Sequence, residues 1–308
     1  MKTPVKPLLI LERACDLYQA MGLSIDSLDP RSEFSIYNLG DLAIPQAYQS
    51  PVFRAGFFSF VFIKEAWGHY SSDALQFEFK PNTVYFNNPG HIKQFSIREA
   101  NELYLLTLSE AFLKENVRAD IFDEFPFLLC EIVPPQKLQP KDFAEFEALY
   151  LQIQTAYHSG SAYRHKLIGH LFVAILLKLK EKLATDCSPV KQNGRAFEIV
   201  KKFKLSIEKH YRELSSGMIE KAHRVQEYAD ILNLHPNYLN AVIKAKTGKS
   251  VGNWIAEKTI AEAKSLLKNS DIPVKEISYR LGFAEIQHFS TYFKKHTQSS
   301  PVVYRQGA

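Results

Sequence analysis

Two segments near the C-terminus carry short polar side chains opposite an apolar helical face. At helical spacing, Leu239 and Ile243 face inward in the first segment, and Phe289 and Phe293 face inward in the second. The outward residues are Asn237, Asn240 and Ala241 in the first segment and Ile286, Gln287, Ser290 and Thr291 in the second. Amide and hydroxyl side chains on a helix can hydrogen bond to base edges in the major groove of DNA. The alternative is a solvated helix surface.

Cations accompany both segments, and the charge of the chain is uneven. The candidate phosphate contacts are Lys244, Lys249, Lys294, Lys295 and Arg305, each of which is also compatible with a solvated cation. From Arg195 onward, 19 Lys and Arg residues stand against 11 Asp and Glu residues, a net charge of +8 within an overall +5. The preceding residues carry a net charge of −3. A basic C-terminal part favours a polyanionic partner such as double-stranded DNA.

The two segments belong to an internal repeat. Residues 225–234 align with residues 274–283, and after a one-residue insertion residues 247–250 align with residues 297–300. Each copy predicts a short helix, a tight turn and a second helix that begins, in the first copy, near Pro236. Asn233 and Gly282 occupy the same place in the turn, and both tolerate the left-handed conformation that ends a helix sharply. The repeat therefore predicts two helix-turn-helix units.

A single helix is predicted between the two units. Residues 250–269, with Ser250 as the helix cap, span about 30 Å at 1.5 Å per residue. One turn of DNA is about 34 Å long, so this spacer can place two reading helices in successive major grooves on one face of the duplex. A plain helical bundle has no need of such a match. Repeat, spacer and charge together favour DNA binding over a structural helical domain.

The C-terminal third also carries a specific set of sequence strings. They are Thr247-Gly-Lys-Ser, Trp254-Ile, Glu262-Ala-Lys-x-Leu-Leu, Val274-x-Glu-Ile-Ser-Tyr-Arg-Leu-Gly-Phe, Phe289-Ser-x-Tyr-Phe-Lys-Lys and Ser300-Pro-x-x-Tyr-Arg. Together they resemble the DNA-binding domain of the AraC family of transcription regulators over about 110 residues, from Arg195 to Arg305. The resemblance implies sequence-specific DNA binding and assigns base reading to the seven outward residues named above.

Three positions depart from the family pattern. Ala241 stands where an arginine is common, Gln298 where serine or glycine is common, and Arg224 where a serine or threonine helix cap is common. With fewer long basic side chains, the first reading helix is expected to contribute less direct readout. Without its cap, the start of the first helix is expected to be less firmly fixed.

The rest of the chain predicts an α+β fold with a β-rich part before the helices. Aromatic and β-branched runs predict strands at residues 57–63, 76–80, 84–86 and 102–108, and residues 141–158 and 161–184 predict helices. The expected domains are a sensor domain over 1–135, a helical dimerisation segment over 136–186, a linker over 187–194 and the DNA-binding domain over 195–308. The second helix is apolar on more than one face, which indicates either a homodimer contact or packing on its own β domain.

The N-terminal part resembles the cupin-type β-barrel sensor domain that often precedes this DNA-binding domain. The resemblance implies a small-molecule effector in the barrel lumen, a homodimer made by helices 141–184 or by the barrel, and RNA polymerase as a further partner. The aromatic residues that are candidates for the effector pocket are Phe60, Phe62, Trp67, Phe77, Phe79, Tyr85 and Phe86. Each of them is also compatible with a plain core position.

Other classes of protein are not favoured. His69 and His91 form no His-x-His pair, and Cys15, Cys130 and Cys187 show no zinc-binding spacing, so no metal or other cofactor is expected. No nucleophile motif or phosphate-binding glycine loop appears, so catalysis is not predicted. Neither a signal peptide nor a membrane span is predicted, which favours the cytoplasm. An architectural, non-specific DNA-binding protein remains an alternative to the sequence-specific regulator.

Overall fold

The computed structural model describes residues 8–23, 32–41, 47–117, 120–129, 132–186 and 194–307. The chain divides into two units. The first unit comprises Met1–Ser109 and Cys130–Lys191, and the second comprises Glu110–Leu129 and Gln192–Ala308. Cys130, Cys187 and the predicted linker up to residue 193 lie outside the described residues. Within the described ranges, no helix is both long and apolar enough to cross a membrane.

Alternating apolar residues build a single sheet in the first unit. Its strands are β1 (Leu9–Leu11), β2 (Phe34–Asn38), β3 (Tyr48–Gln49), β4 (Phe53–Ala55), β5 (Phe58–Ser72), β6 (Leu75–Phe79), β7 (Thr83–Asn87), β8 (Ile92–Leu108) and β9 (Gln136–Lys137). The four predicted strands are confirmed, although β5 and β8 extend to 15 and 17 residues. These two strands pair antiparallel from Phe58 opposite Leu108 to Ser72 opposite Lys93.

The order of strands shows how far the sheet resembles a barrel. The pairing path runs β1-β4-β8-β5-β7-β9, with β2 and β3 paired to β8 and β6 paired to β5. No pairing among the described residues joins β1 to β9. The cupin-like barrel is therefore present as a sheet that does not close among the described residues, and register shifts between Ile63 and Gly68 interrupt the pairing of its two longest strands. The predicted α+β class is confirmed.

Among the described residues of the first unit, three helices accompany the sheet. They are α1 (Ala14–Ala20), α4 (Pro140–His158) and α5 (Arg164–Asp186), and the last two confirm the helices predicted from the sequence. On one face of the sheet, Phe60 stacks on Phe86 and meets Phe172 of α5 edge-on, with 4.8 Å between ring centroids. On the other face, Val61 and Tyr85 enter a core shared with α1. Two apolar layers thus follow the period of two along β5 and β7.

The second unit is helical. Its helices are α2 (Glu110–Asn116), α3 (Ile121–Glu124), α6 (Arg195–Ser215), α7 (Val225–Ile231), α8 (Pro236–Thr247), α9 (Val251–Asn269), α10 (Val274–Arg280), α11 (Ile286–Thr297) and α12 (Pro301–Gln306), and a short 3-10 turn covers Pro126–Leu128. One core joins α6, α7 and α8 to the start of α9, and a second joins α10 and α11 to its later turns.

Residues 110–129 belong to this helical unit, whereas the sequence placed them in the domain over 1–135. Helix α2 packs along α9, where the Ser265 hydroxyl donates to the Lys114 carbonyl at 2.9 Å. The Tyr304 hydroxyl of α12 donates to the Glu115 carboxylate at 2.7 Å. These long-range polar contacts assign the segment to the helical unit.

Candidate nucleic-acid interface

The first helix-turn-helix unit consists of α7 and α8. At the turn, Asn233 has a φ of +53°, and the Leu234 N–H donates to the Ala229 carbonyl at 2.9 Å, which closes the end of α7. The left-handed position predicted from the sequence is thereby confirmed. Helix α8 begins at Pro236, as expected for a residue that lacks a backbone donor.

The start of α7 is fixed in a way that the sequence did not indicate. The carboxylate of Glu227 accepts a hydrogen bond from the Arg224 N–H at 3.0 Å. Hydrogen bonds from its own backbone N–H and from the Arg224 N–H hold the pKa of Glu227 below its ordinary value. A residue inside the helix therefore supplies the cap that Arg224 lacks, and the expectation of a loose helix start is wrong.

The second helix-turn-helix unit, α10 and α11, repeats the same geometry. Gly282 has a φ of +82°, and the Phe283 N–H donates to the Ser278 carbonyl at 3.0 Å, in the same register as in the first unit. A Cβ atom on Gly282 would lie 2.6 Å from the Cβ of Ala222, in the segment before α7. Glycine is required here both for the backbone conformation and for this close approach.

The repeat extends beyond the reading helices α8 and α11. The hydroxyls of Thr247 and Thr297 each donate, at 2.8 Å, to the carbonyl one turn earlier. Ser250 and Ser300 then cap the next helices by accepting the N–H groups of Asn253 and Val303. The confirmed spacer α9 has 19 residues, a length of about 28 Å. Both copies therefore present a reading helix of the same construction at either end of one helix.

The inward and outward faces of the reading helices agree with the periodicity. Leu239, Ile243, Phe289 and Phe293 are fully buried. The exposed base-reading candidates are Asn237, Ala241, Gln287 and Thr291, and the half-buried ones are Asn240, Ile286 and Ser290. The structure thus brings the candidates to the outer faces of α8 and α11, where a duplex can reach them.

The five candidate phosphate contacts separate into two groups. Lys244, Lys294 and Lys295 are exposed on the last turns of the reading helices. Lys249 instead forms an ion pair with Glu257 at 2.7 Å. Arg305 donates to the carbonyls of Leu267 and Ile272 at 3.1 and 2.7 Å, which engages its guanidinium within the domain.

Two further outward residues were missed by the sequence analysis. Tyr238 is 44% exposed in the first turn of α8, with the Arg195 guanidinium 5.9 Å from its ring centroid. His288 is exposed in the first turn of α11. The first turn of a reading helix commonly contacts base edges, so the position of each residue in the repeat was the available signal.

A histidine pair packs against Tyr228 of α7, in the first helix-turn-helix unit. The rings of His210 on α6 and His223 stack with 3.7 Å between centroids, and the His223 N–H donates to Nε2 of His210 at 3.0 Å. Burial, together with the neighbouring His223, lowers the pKa of His210 to about 4. His210 is therefore neutral at physiological pH, with its proton on Nδ1.

Five ionisable side chains cluster beside the spacer helix and were also missed. The Lys114 ammonium contacts Glu262 and lies 3.4 Å from Glu208 and 3.9 Å from Glu110. The Lys258 ammonium contacts Glu208 and lies 2.5 Å from Glu110. Burial lowers the pKa of Lys258 to about 8, although the surrounding carboxylates oppose the shift. Two cations thus lie among three carboxylates, which leaves one negative charge uncompensated, and these ion pairs fasten α2 to α6 and α9.

The first unit contains an apolar cavity of about 60 Å³. It is smaller than the ~300 Å³ of an ordinary ligand pocket, so its lining must move before a molecule of effector size can enter. Tyr70 lines the cavity, is 4% exposed, and its hydroxyl makes no hydrogen bond to any described residue. Lys93 and Gln94 supply further polar groups in a lining that is otherwise mostly apolar.

The seven aromatic candidates lie in three places. Phe79 and Tyr85 line the cavity, and Phe77 packs against the same core. Phe60, Phe62 and Phe86 lie on the opposite face of the sheet, where Phe60 and Phe62 pack on helical aromatics. Trp67 lines a separate surface groove of about 350 Å³ with His69, Glu78 and Arg98.

Two helix-turn-helix units on one spacer helix define a tandem DNA-binding domain. Residues 228–307 match the family described as "Helix-turn-helix domain". The uncharacterized HTH-type transcriptional regulator YobQ of Bacillus subtilis is 35% identical over 81 residues, which are 26% of this chain and 34% of that protein. The arabinose operon regulatory protein of Escherichia coli is 25% identical over 174 residues, which are 56% of this chain and 54% of that protein.

A solved structure resembles part of the chain. The C-terminal domain of AraT, a response regulator from Geobacillus stearothermophilus, is 30% identical and covers 37% of this chain and 89% of that one, with a TM-score of 0.33. The chain spans about a third to a half of the length of the two curated relatives. The C-terminal domain therefore contains the helix-turn-helix domain that its sequence repeat predicted, and both curated relatives are named as regulators.

Proposed function

We propose that the protein is a sequence-specific transcription regulator that binds a two-box site on double-stranded DNA and responds to a small effector. The observation that carries this proposal is the equivalent construction of α8 and α11 at the two ends of a 19-residue helix. Such a regulator acts in the cytoplasm and performs no catalysis. RNA polymerase is a further partner of a regulator of this kind.

The second reading helix carries most of the sequence recognition in this proposal. Gln287 and Thr291 are exposed one helical turn apart on α11, and glutamine reads adenine through paired hydrogen bonds. Helix α8 presents Asn237 and Tyr238, but the small Ala241 stands one turn further on. Lys244 and Lys294, at equivalent places in the two copies, are the proposed phosphate contacts.

The test is selection of random duplex DNA by the full-length protein, followed by titration of the selected site across a salt series. Two boxes about one helical turn apart support the proposal. Gln287→Ala should cost about 1–3 kcal/mol on the selected site and relax one base position. Lys294→Ala should weaken binding to all sequences and reduce the salt slope by about 0.9.

A matched control removes one positive charge from the sheet-containing unit of the chain. Lys80 is a half-exposed lysine on the first unit, and Lys80→Ala should leave both the base preference and the salt slope unchanged. If the protein selects no motif and its affinity depends only on salt, the architectural alternative is correct.

The effector proposal rests on the cavity and on Tyr70. A buried hydroxyl without a partner is costly, and a ligand with a hydrogen-bond acceptor would satisfy it. We therefore expect a small, mostly apolar effector that carries one acceptor group. Ligands that change DNA affinity should lose their effect in Tyr70→Phe, which keeps the ring and removes only the hydroxyl. If no ligand in a broad screen changes DNA affinity, the sensing half of the proposal is wrong.

The dimer proposal rests on the outer face of α4 and α5. Ile168, Phe172 and Ile175 are buried in the first unit, so the alternative of packing on the chain's own β domain accounts for one face of α5. Leu151 and Leu167, 46% and 51% exposed, line a groove of about 430 Å³ between the two helices. A second copy of this chain is the proposed occupant. Sedimentation should show a dimer that Leu167→Glu dissociates, and a monomer at micromolar concentration would contradict the proposal.

A further inference from the structure

The two ends of the spacer helix α9 are held by residues that the sequence offered as DNA contacts. The first four N–H groups and the last four carbonyls of a helix have no partner within it. At the start of α9, the Val251 N–H donates to the amide oxygen of Asn240 on α8 at 3.0 Å. At its end, the Leu267 carbonyl accepts from Nε of Arg305 on α12 at 3.1 Å.

Each of these bonds joins α9 to a different half of the DNA-binding domain. Asn240 belongs to the first reading helix, so its bond ties that helix to the start of the spacer. Arg305 also donates to the Ile272 carbonyl at 2.7 Å, just before α10, and lies on the helix that follows α11. Its forked guanidinium therefore joins the end of the spacer helix to the segment before α10 and to α12, which follows α11.

The repeat shows that the role of Asn240 is specific to its place. Ser290 is the equivalent of Asn240 in the second copy, and Pro301 is the equivalent of Val251. Proline has no N–H, so the second copy contains no donor for such a bond. Ser290 therefore has no equivalent N–H to accept, whereas the hydrogen bond from the Val251 N–H sets the orientation of the Asn240 amide.

From these contacts we infer that Asn240 and Arg305 are positioning residues that fix the distance between the two reading helices, and hence the box spacing that the protein accepts. This inference rests on the proposed two-box recognition. Base pairs are stacked about 3.4 Å apart, so a displacement of a few ångströms between α8 and α11 corresponds to one base pair of spacing. Asn240 is then not a base reader, and Arg305 is not a phosphate contact.

The experiment uses full-length protein and a DNA library that holds the two selected boxes constant and varies only the spacing between them. Wild type should prefer one spacing, and Asn240→Ala and Arg305→Ala should accept spacings about one base pair longer and shorter. Asn240→Asp keeps an acceptor for the Val251 N–H and should keep the wild-type spacing. Circular dichroism and thermal melting define a temperature at which every variant is folded.

Matched variants separate positioning from the other roles. Gln287→Ala should change a base preference without changing the spacing preference. Arg305→Lys keeps the charge but loses the fork, so it should behave like Arg305→Ala, and neither should alter the salt slope. If Arg305→Ala does not fold, Arg305→Gln, which retains an amide donor for one carbonyl, takes its place.

Each remaining outcome overturns a part of the inference or of its basis. If Asn240→Ala loses one base of the first box and keeps the spacing, Asn240 is a base reader. If Arg305→Ala lowers the salt slope by about 0.9 and Arg305→Lys restores it, Arg305 is a phosphate contact. If the folded variants only melt earlier and keep the wild-type spacing, both residues are merely structural. If wild type selects no two-box site, the proposed function itself fails.

Discussion

Replacement of Lys114 by methionine should destabilise the helical unit far more than the loss of a surface lysine would. The Lys114 side chain is 1% exposed and contacts or approaches Glu262, Glu208 and Glu110. Without it, three carboxylates remain beside the single cation of Lys258, and the buried cluster gains a second uncompensated negative charge. Breaking a buried ion pair by removal of one partner typically costs about 3–5 kcal/mol, and we expect a loss of this size at pH 8.

The loss should shrink as the pH falls. In the variant, one cation fewer lies beside the three carboxylates, which repel one another. The folded-state pKa of at least one of them therefore rises above its value in the unfolded chain. As the pH falls through that raised pKa, the folded state binds a proton that the unfolded state does not, and the variant regains stability. The difference in unfolding free energy between wild type and Lys114→Met should therefore be smaller at pH 5.5 than at pH 8.

The assay exploits the distribution of the two tryptophans. Trp67 lies in the first unit and Trp254 in the second, so Trp254 fluorescence in a Trp67→Phe background follows denaturant unfolding of the helical unit. Lys209→Met is the matched control, because its side chain is 68% exposed and lies 3.9 Å from Glu213. This control should cost less than about 1 kcal/mol. If Lys114→Met costs no more than the control, or the same at both pH values, the account of the cluster is wrong.

Two further predictions concern the first and second helix-turn-helix units. Gly282→Ala should lower the stability of the second helix-turn-helix unit by more than Gly217→Ala does. Both glycines have a positive φ, which costs an alanine about 1 kcal/mol, but only a Cβ at position 282 would also clash with Ala222. Equal losses in thermal melting would contradict the close approach. The pKa of His210 in the folded state is about 4, below its ordinary value of 6.5. Its contribution of up to about 3 kcal/mol to the unfolding free energy is therefore present above pH 6.5 and lost as the pH falls toward 4. His210→Gln keeps an acceptor for the His223 N–H and should reduce the change, between pH 7 and 5, in the unfolding free energy that Trp254 fluorescence reports. An unchanged pH dependence would exclude His210 as its cause.

The helix-turn-helix units could be predicted because their signals are local. Asn233 and Gly282 mark turns through the backbone conformations that they tolerate, and the three- and four-residue spacing of apolar positions marks the inward faces. The hydroxyl of Ser250 marks the start of the spacer helix through its own cap. Each signal is contained within a few consecutive residues, so it survives without knowledge of the rest of the fold.

The cavity lining could not be predicted in the same way. Phe60, Phe62, Phe79 and Tyr85 are all aromatic strand residues, and the sequence offered them as one set. Only the pairing of β5 with β7, and the helices that cover one face of the sheet, decide which of them point toward the cavity. Alternation along a strand shows that two faces exist, but it does not show which face a helix will cover.

The sequence by itself determined the class of the C-terminal domain, the two turns, the spacer helix and the outward faces of both reading helices. Only the tertiary structure decided that residues 110–129 join this domain, that Lys114 and Lys258 are buried, and that Asn240 and Arg305 hold the ends of α9. The physical reason is the range of the interactions. A turn or a cap depends on neighbours within about four residues, whereas a buried charge or a bond to a helix end depends on partners that the chain brings together from far along its length.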